Sequence, residues 1–276
     1  MNIGIAGLGL IGGSFAKTVK KNTADLVFGY DLNAETLEKA ILTGAIDEVL
    51  SAENAESVDL LVAAVNPSDF LPAVSRYFPL LKSGATVMDF CGVKRGVTAE
   101  MRALSEKYPE LNFIGGHPMA GREFSGFDKS LSTLFNKASM IFVPVKTDIF
   151  VLDEFKKYFL SLGFSKVVIT TSENHDKMIA YTSQLCHIVS NAFIKSDAAR
   201  EHSGYSAGSY KDLTRVARLD PVMWSKLMSE NVDFLEKELE TLIVNLNKYL
   251  CALKSRDENE LRRLLEEGNA AKTDID

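Results

Sequence analysis

The chain has 276 residues, 46% hydrophobic and 25% charged, enough for one large or two ordinary domains with an ample core. A net charge of −6 and the lack of a basic run argue against nucleic-acid binding. No apolar stretch reaches the roughly 18 residues of a membrane span, and three scattered cysteines (Cys91, Cys186 and Cys251) show no metal-ligand spacing, so a cytoplasmic protein without a metal is expected.

The first predicted strand, 2–6, begins at once, so no signal peptide is expected. It runs into Gly7-Leu8-Gly9-Leu10-Ile11-Gly12-Gly13-Ser14 and then a predicted helix, 12–22. Strand, G-x-G-x-x-G and helix in that order form a pyrophosphate cradle. Gly7 permits the tight turn, Gly9 lets backbone approach the phosphates, and Gly12 lets helix pack on strand. The helix N-terminus offers N–H groups to the anion. The next strand, 26–30, ends at Asp31, about 20 residues on, where a carboxylate holds a ribose 2′-OH. Leu32 and Asn33 follow, with no adjacent Arg for a 2′-phosphate, so NAD is expected over NADP. The competing role for Asp31 is to cap the helix 34–42.

Strands at 59–65, 85–90, 112–116, 139–144 and 166–170 alternate with helices at 67–81, 95–107 and 148–162. Such alternation predicts an α/β fold, a Rossmann-type doubly wound and mainly parallel sheet, with ligands at the carboxyl ends of its strands. Those ends carry Val65-Asn66-Pro67, Asp89 to Lys94 with Gly92 between, and Gly115-Gly116-His117-Pro118. After residue 170 the β-rich runs stop. Thr170 and Glu173 have capping-box spacing before a helix to about residue 196. Turn signals occupy 203–210, and Asp220-Pro221 opens a long helix to about Lys254. Its seam of Met228, Val232, Leu235, Leu239, Leu242, Leu246, Tyr249 and Leu253 needs a partner helix. Residues 268–276 look frayed. The expected domains are a dinucleotide-binding 1–170 and an all-α 171–276.

His117 is the leading candidate base, since imidazole suits proton removal near neutrality and a hydride leaves only as the adjacent hydroxyl loses its proton. His187 shares a small polar helix face with Asp176, Ala180 and Ser183, and spacing suits a cleft-lining or a plain helix-surface histidine equally. His175 lies in the first turn of that helix, with end-capping as its expected role. Arg215 and Arg218 stand before the long helix; a guanidinium fork suits a carboxylate, though solvated charges or helix-dipole partners are the commoner role for such a pair. Trp224 reads as core.

These segments together resemble the prephenate/arogenate dehydrogenase family. The matching pieces are the glycine turn, Asp89 to Lys94, Gly116-His117-Pro118-Met119-Ala120-Gly121 with Glu123 and Ser125-Gly126, His175-Asp176 with Ser183 and His187, and Thr214-Arg215-Val216-Ala217 leading into Asp220-Pro221-Val222-Met223-Trp224. They span nearly the whole chain. The resemblance implies NAD-dependent oxidative decarboxylation of prephenate to 4-hydroxyphenylpyruvate, or of arogenate to tyrosine. It implies His117 as the base, His187 in the substrate pocket, Arg215 on a substrate carboxylate, Glu123 at the entrance, Trp224 as support, and a homodimer through the helical domain. Three positions depart from the family. Gly92 replaces a serine that contacts the hydroxyl region, with Cys91 or a water as stand-in; Gln184 replaces a frequent histidine; Arg122 replaces a frequent threonine and adds a cation suited to a dianionic substrate. With no regulatory domain expected after the helices, feedback by tyrosine would act at the active site. Two rivals are weighed. A β-hydroxyacid-type dehydrogenase needs a helical-domain lysine in a glycine frame, and 173–196 offers only Lys177 and Lys195. An NAD-sensing regulator needs a basic DNA-binding helix, which is lacking.

Overall fold

A computed structural model describes residues 1–275. Strand β1 (Asn2–Ala6) lies in the interior with Ile3 and Ile5 fully buried, because helices cover both faces of the sheet it centres. The other strands are β2 (Leu26–Tyr30), β3 (Glu48–Val49), β4 (Leu60–Ala63), β5 (Thr86–Asp89), β6 (Asn112–Pro118), β7 (Ser139–Lys146) and β8 (Lys166–Ile169). They form one sheet in the order β3-β2-β1-β4-β5-β6-β7-β8. The first six run parallel; β7 is antiparallel to β6, and β8 is parallel to β7. The expected mainly parallel α/β sheet is thus present, with a short edge strand, β3, that periodicity did not reveal.

The antiparallel β7 has one consequence for function. It extends the β6 ladder past residue 116, so His117 pairs with Ile141 and Pro118 with Met140. His117 therefore stands inside a strand and not on the loop expected after it. One face of the sheet packs Phe15, Phe90, Phe142 and Phe159, with Phe15 and Phe90 edge to face at 5.0 Å. The other packs Leu61, Phe70, Phe78 and Phe113.

Helices α1 (Leu10–Asn22), α2 (Ala34–Leu42) and α3 (Ala52–Ala55) follow the first three strands. The helix predicted over 67–81 is broken into a 3-10 turn at Pro67–Asp69, a short α4 (Phe70–Val74) and another 3-10 stretch at Ser75–Leu80. Pro72 and Pro79 withhold the amides that a continuous helix would need. α5 (Arg95–Lys107) and α6 (Ile149–Ser161) complete this half.

The sheet ends at Ile169 and only helices follow. α7 (Ser172–Ile179) is capped by Thr171, whose hydroxyl accepts the Asn174 N–H, one residue later than the predicted Thr170. A π-helical turn, Ala180–Leu185, joins it to α8 (Cys186–Phe193). α9 (Gly208–Thr214) precedes α10 (Pro221–Ser229), which Asp220 caps as predicted. The long helix is not continuous: it breaks after Ser229, and α11 (Val232–Ser255) starts anew. Buried Asn231 sits at the break and spends its side chain on neighbours instead. The seam divides accordingly. Met228, Leu235, Leu239 and Leu242 pack on Ala180, Leu185, Ile188 and Val189, whereas Leu246 and Leu253 stay exposed. The tail is not frayed over 268–273. Arg256 turns the chain with φ 54°, Asp257 caps the Asn259 and Glu260 amides, and α12 (Glu258–Thr273) runs on; Asp276 lies outside the described residues. Among the described residues no helix is long and apolar enough to cross a membrane.

Candidate active site

The glycine turn bends at Gly7, whose φ of +90° and whose 2.5 Å gap from a would-be Cβ to the Ala64 carbonyl both demand glycine. A Cβ at Gly12 would sit 1.8 Å from the Gly7 carbonyl oxygen, so α1 can approach β1 only with glycine there. A Cβ at Gly9 would meet nothing within 4 Å. Gly9 is the N-cap of α1 and offers no side-chain cap, and the first turn at Leu10 and Ile11 carries no acid. Open space before uncapped amides fits a phosphate group. The Leu8 side chain belongs to the core, while its N–H donates to Asp31 Oδ2 at 2.8 Å. Asp31 does not cap α2; Asn33 does, accepting the Thr36 N–H. The end of β4 continues as Val65, Asn66 and Pro67, where Asn66 donates to Asp69 and Pro67 opens the 3-10 turn. One expectation needs correction in space: an arginine does reach this end of β2. Arg76 stacks over the Tyr30 ring at 4.0 Å and donates to the Tyr77 hydroxyl at 2.7 Å.

A second cluster lies where β5 and β6 end. His117 Nδ1 is 2.8 Å from His175 Nε2, and His175 Nδ1 is 2.7 Å from Asp176 Oδ1. Asp176 in turn accepts the N–H groups of Lys94 at 2.7 Å and Arg95 at 2.9 Å, at the start of α5. Asp176 and His175 are buried, and His117 is half-buried. Burial, followed by the neighbouring His175 and the Lys94 cation, pushes the His117 pKa well below the ordinary imidazole value. Burial likewise lowers that of His175, against the pull of Asp176. Burial alone would raise the Asp176 carboxyl, but hydrogen bonds from His175, Arg95 and Lys94 hold it below its usual range. Lys94 is itself fully buried and ion-paired with Asp89, which also accepts the Cys91 and Gly116 amides. Sequence reading gave His175 a local capping role and left Lys94 unexplained. The adjacency His175-Asp176 was the available signal; the 58 residues back to His117 hid its meaning.

Gln184, expected at the substrate, is buried. It donates to the Leu227 carbonyl at 3.0 Å and accepts from Asn231 at 2.8 Å, so its amide is spent inside the helical domain. Gly92 faces Leu227, 3.4 Å from a would-be Cβ. The Cys91 S–H is directed at the Val65 carbonyl, 3.3 Å away, and is no substitute for a cleft hydroxyl.

The rim gathers residues from both halves. His187 Nδ1–H donates to the Ser183 carbonyl at 2.8 Å, and its ring lies on the Trp224 indole with centroids 4.0 Å apart. Burial and the nearby Arg215 keep it neutral-leaning, with a lowered pKa. Arg215 Nη1, just after α9, is 3.5 Å from Glu123 Oε1, on the loop after β6. Arg122 turns along its own loop, 3.4 Å from the Lys129 carbonyl and 5.5 Å from the Phe124 ring centre.

A sequence profile of the prephenate dehydrogenase nucleotide-binding domain matches residues 15–169, and one of the prephenate dehydrogenase dimerization domain matches residues 171–267. The chain belongs to the prephenate dehydrogenase family. A cyclohexadienyl dehydrogenase of Zymomonas mobilis is 29% identical over 291 residues, covering 100% of this chain and 97% of that protein. The crystal structure of prephenate dehydrogenase from A. aeolicus in complex with hydroxyphenyl propionate and NAD+ matches with a TM-score of 0.85 at 30% identity, over 100% of this chain and 98% of the other. Synechocystis arogenate dehydrogenase matches with a TM-score of 0.81 at 26% identity, over 100% of both chains. Membership makes the protein a dehydrogenase with a nucleotide-binding half and a dimerisation half.

Proposed function

We propose that this family member is an NAD-dependent prephenate dehydrogenase, converting prephenate to 4-hydroxyphenylpyruvate and CO2. One observation carries the reading: the half-buried His117, inside the last stretch of β6, is held through Nδ1 with no protein partner at Nε2 among the described residues, while the glycine turn after β1 leaves open space at Gly9. The open face at Gly9 and the bare α1 terminus would receive the pyrophosphate, and Asp31 the adenosine ribose. NAD+, when bound, supplies the hydride acceptor. His117 Nε2 takes the proton of the ring hydroxyl as the C–H electron pair leaves the same carbon. Loss of CO2 from the opposite carbon returns an electron pair to the ring, which becomes aromatic. The proton can then return to the phenolic oxygen, so none is released overall. Aromatisation drives the step forward, and the protein's work is positioning plus one base. Arg215 would hold a substrate carboxylate, with His187 and Trp224 walling the pocket and Arg122 adding positive charge.

A second reading, arogenate dehydrogenase, is favoured by Glu123, a carboxylate at the rim suited to the ammonium that distinguishes arogenate. The names of the relatives span both substrates. A homodimer through α11 and α12 would cover the exposed Ile243, Leu246, Leu250 and Leu253. Three free thiols suit a reducing, cytoplasmic setting. The deciding experiment follows absorbance at 340 nm with NAD+ and either prephenate or arogenate. A clear rise with prephenate supports the first reading, a rise with arogenate alone supports the second, and no rise with either removes both.

A further inference from the structure

We propose that His175 and Asp176 form a positioning relay that fixes the tautomer of His117 and receives part of the charge when that imidazole is protonated. The inference deepens the dehydrogenase reading and rests on it for its kinetic consequence, but not for its geometry.

The argument starts from Asp176. An ionised carboxylate can only accept hydrogen bonds. It already accepts the Lys94 and Arg95 amides, with Arg95 Nε at 3.3 Å, so its oxygens are fixed against the first turn of α5. The contact of 2.7 Å with His175 Nδ1 therefore requires a proton on that nitrogen. A neutral His175 then presents Nε2 as an acceptor, and the 2.8 Å contact requires the His117 proton to sit on Nδ1. His117 Nε2 is left with its lone pair, the state a base needs. Each assignment follows from the one before, and the chain begins at the only member that cannot be a donor.

The surroundings explain why a second imidazole stands between base and carboxylate. Every charged group facing His117 and His175 counts here: Lys94, paired with Asp89, on one side, and Asp176, backed by Arg95 and its partner Asp233, on the other. Burial first, then His175 and Lys94, disfavour a cation on His117. When Nε2 takes the substrate proton, the Nδ1 proton can shift along the existing hydrogen bond to His175 Nε2. The positive charge then lies beside Asp176, and His117 stays close to neutral. The shift conserves atoms and charge, and it reverses when the proton returns.

The relay also joins the two halves of the molecule. His117 and the α5 start belong to the sheet domain, whereas His175 and Asp176 open the helical one. Orientation of the base thus depends on how the second domain docks.

The test uses the intact protein labelled with 15N-histidine. In the wild type, with no substrate present, the ring nitrogens of His117 should report a proton on Nδ1 and none on Nε2; the reverse tautomer overturns the proposal. Two variants give the kinetic arm, each checked for folding by circular dichroism. His175→Gln retains an acceptor for His117 Nδ1 but cannot carry a proton, and should preserve the tautomer while lowering kcat several-fold. His175→Leu should lose the tautomer preference and drop kcat by about 10²-fold, the scale of a misplaced reacting group, with KM for both substrates within about 2-fold. Unchanged kcat in His175→Leu also overturns the proposal. If His175→Leu fails to fold, the wild-type tautomer and His175→Gln decide. If the wild type shows no dehydrogenase activity, the functional reading fails while the tautomer measurement still stands or falls on its own.

Discussion

Arg215 and Glu123 join the helical half to the loop after β6, Nη1 to Oε1 at 3.5 Å, with Arg215 69% exposed. An ion pair this open contributes little to stability. The guanidinium is therefore available to a substrate carboxylate. Arg215→Ala should leave the melting temperature nearly unchanged. It should lower kcat/KM by roughly 10–100-fold, the equivalent of a lost charge-assisted hydrogen bond, mostly through KM. Steady-state kinetics with prephenate checks the split, and an unchanged KM would remove Arg215 from the substrate.

Replacement of the base should act on the other parameter. His117→Asn should reduce kcat by roughly 10²–10⁴-fold, the usual share of a general base, while NAD+ still binds. Equilibrium binding of NAD+ beside single-turnover kinetics separates the two effects.

The pH dependence follows from the lowered pKa of His117, whose first cause is burial. The base works only when neutral, so kcat/KM should hold through neutrality and fall only well below the ordinary value of 6.5. Stability has the same sign. The unfolded chain binds protons on His117 and His175 near pH 6.5, whereas the folded chain resists them. Their contribution is present in full above that pH and is lost as pH falls from there through the folded values. Melting curves on the acid side should show the decline.

Asp31 should govern cofactor choice. Asp31→Ser removes the carboxylate proposed to hold the ribose hydroxyl, and the KM for NAD+ should rise roughly 10–100-fold, with a lost charged hydrogen bond as the cause. Use of NADP+ should improve relative to NAD+, since Arg76 already lies against neighbouring Tyr30. Parallel assays with the two cofactors decide it.

Two glycines should respond in opposite ways. At Gly92 an added Cβ meets Leu227 in ordinary contact at 3.4 Å, so Gly92→Ser should fold with a change below about 0.5 kcal/mol. At Gly12 the added Cβ lies 1.8 Å from a backbone oxygen, and Gly12→Ala should cost about 1–3 kcal/mol or more and weaken NAD+ binding. Thermal melts of both variants, with and without NAD+, give the comparison.

What could be read from the chain depended on how local the cause was. The glycine turn, Asp31 and the alternation of strands with helices act over short spans, and the sheet carries them at the expected positions. Features set by distant partners were hidden. The break at Asn231 exists because its side chain binds Asp176, Gln184 and Arg95, none of them near in sequence. His117 lies within a strand because β7 returns antiparallel beside it. The partners of Gln184 were hidden for a similar reason: its amide meets Leu227 and Asn231, in α10 and at the helix break.

The grip of Asp176 on the start of α5 restricts how the enzyme can breathe. Two backbone amides and the Arg95 side chain tie the domains together at the deep end of the cleft. Splaying the halves there would slacken both imidazoles and disarm the enzyme each time it opened. The Arg215–Glu123 pair, in solvent, is the weaker tie of the two. With His117 as the proposed base, the exposed pair can yield while that imidazole keeps its aim.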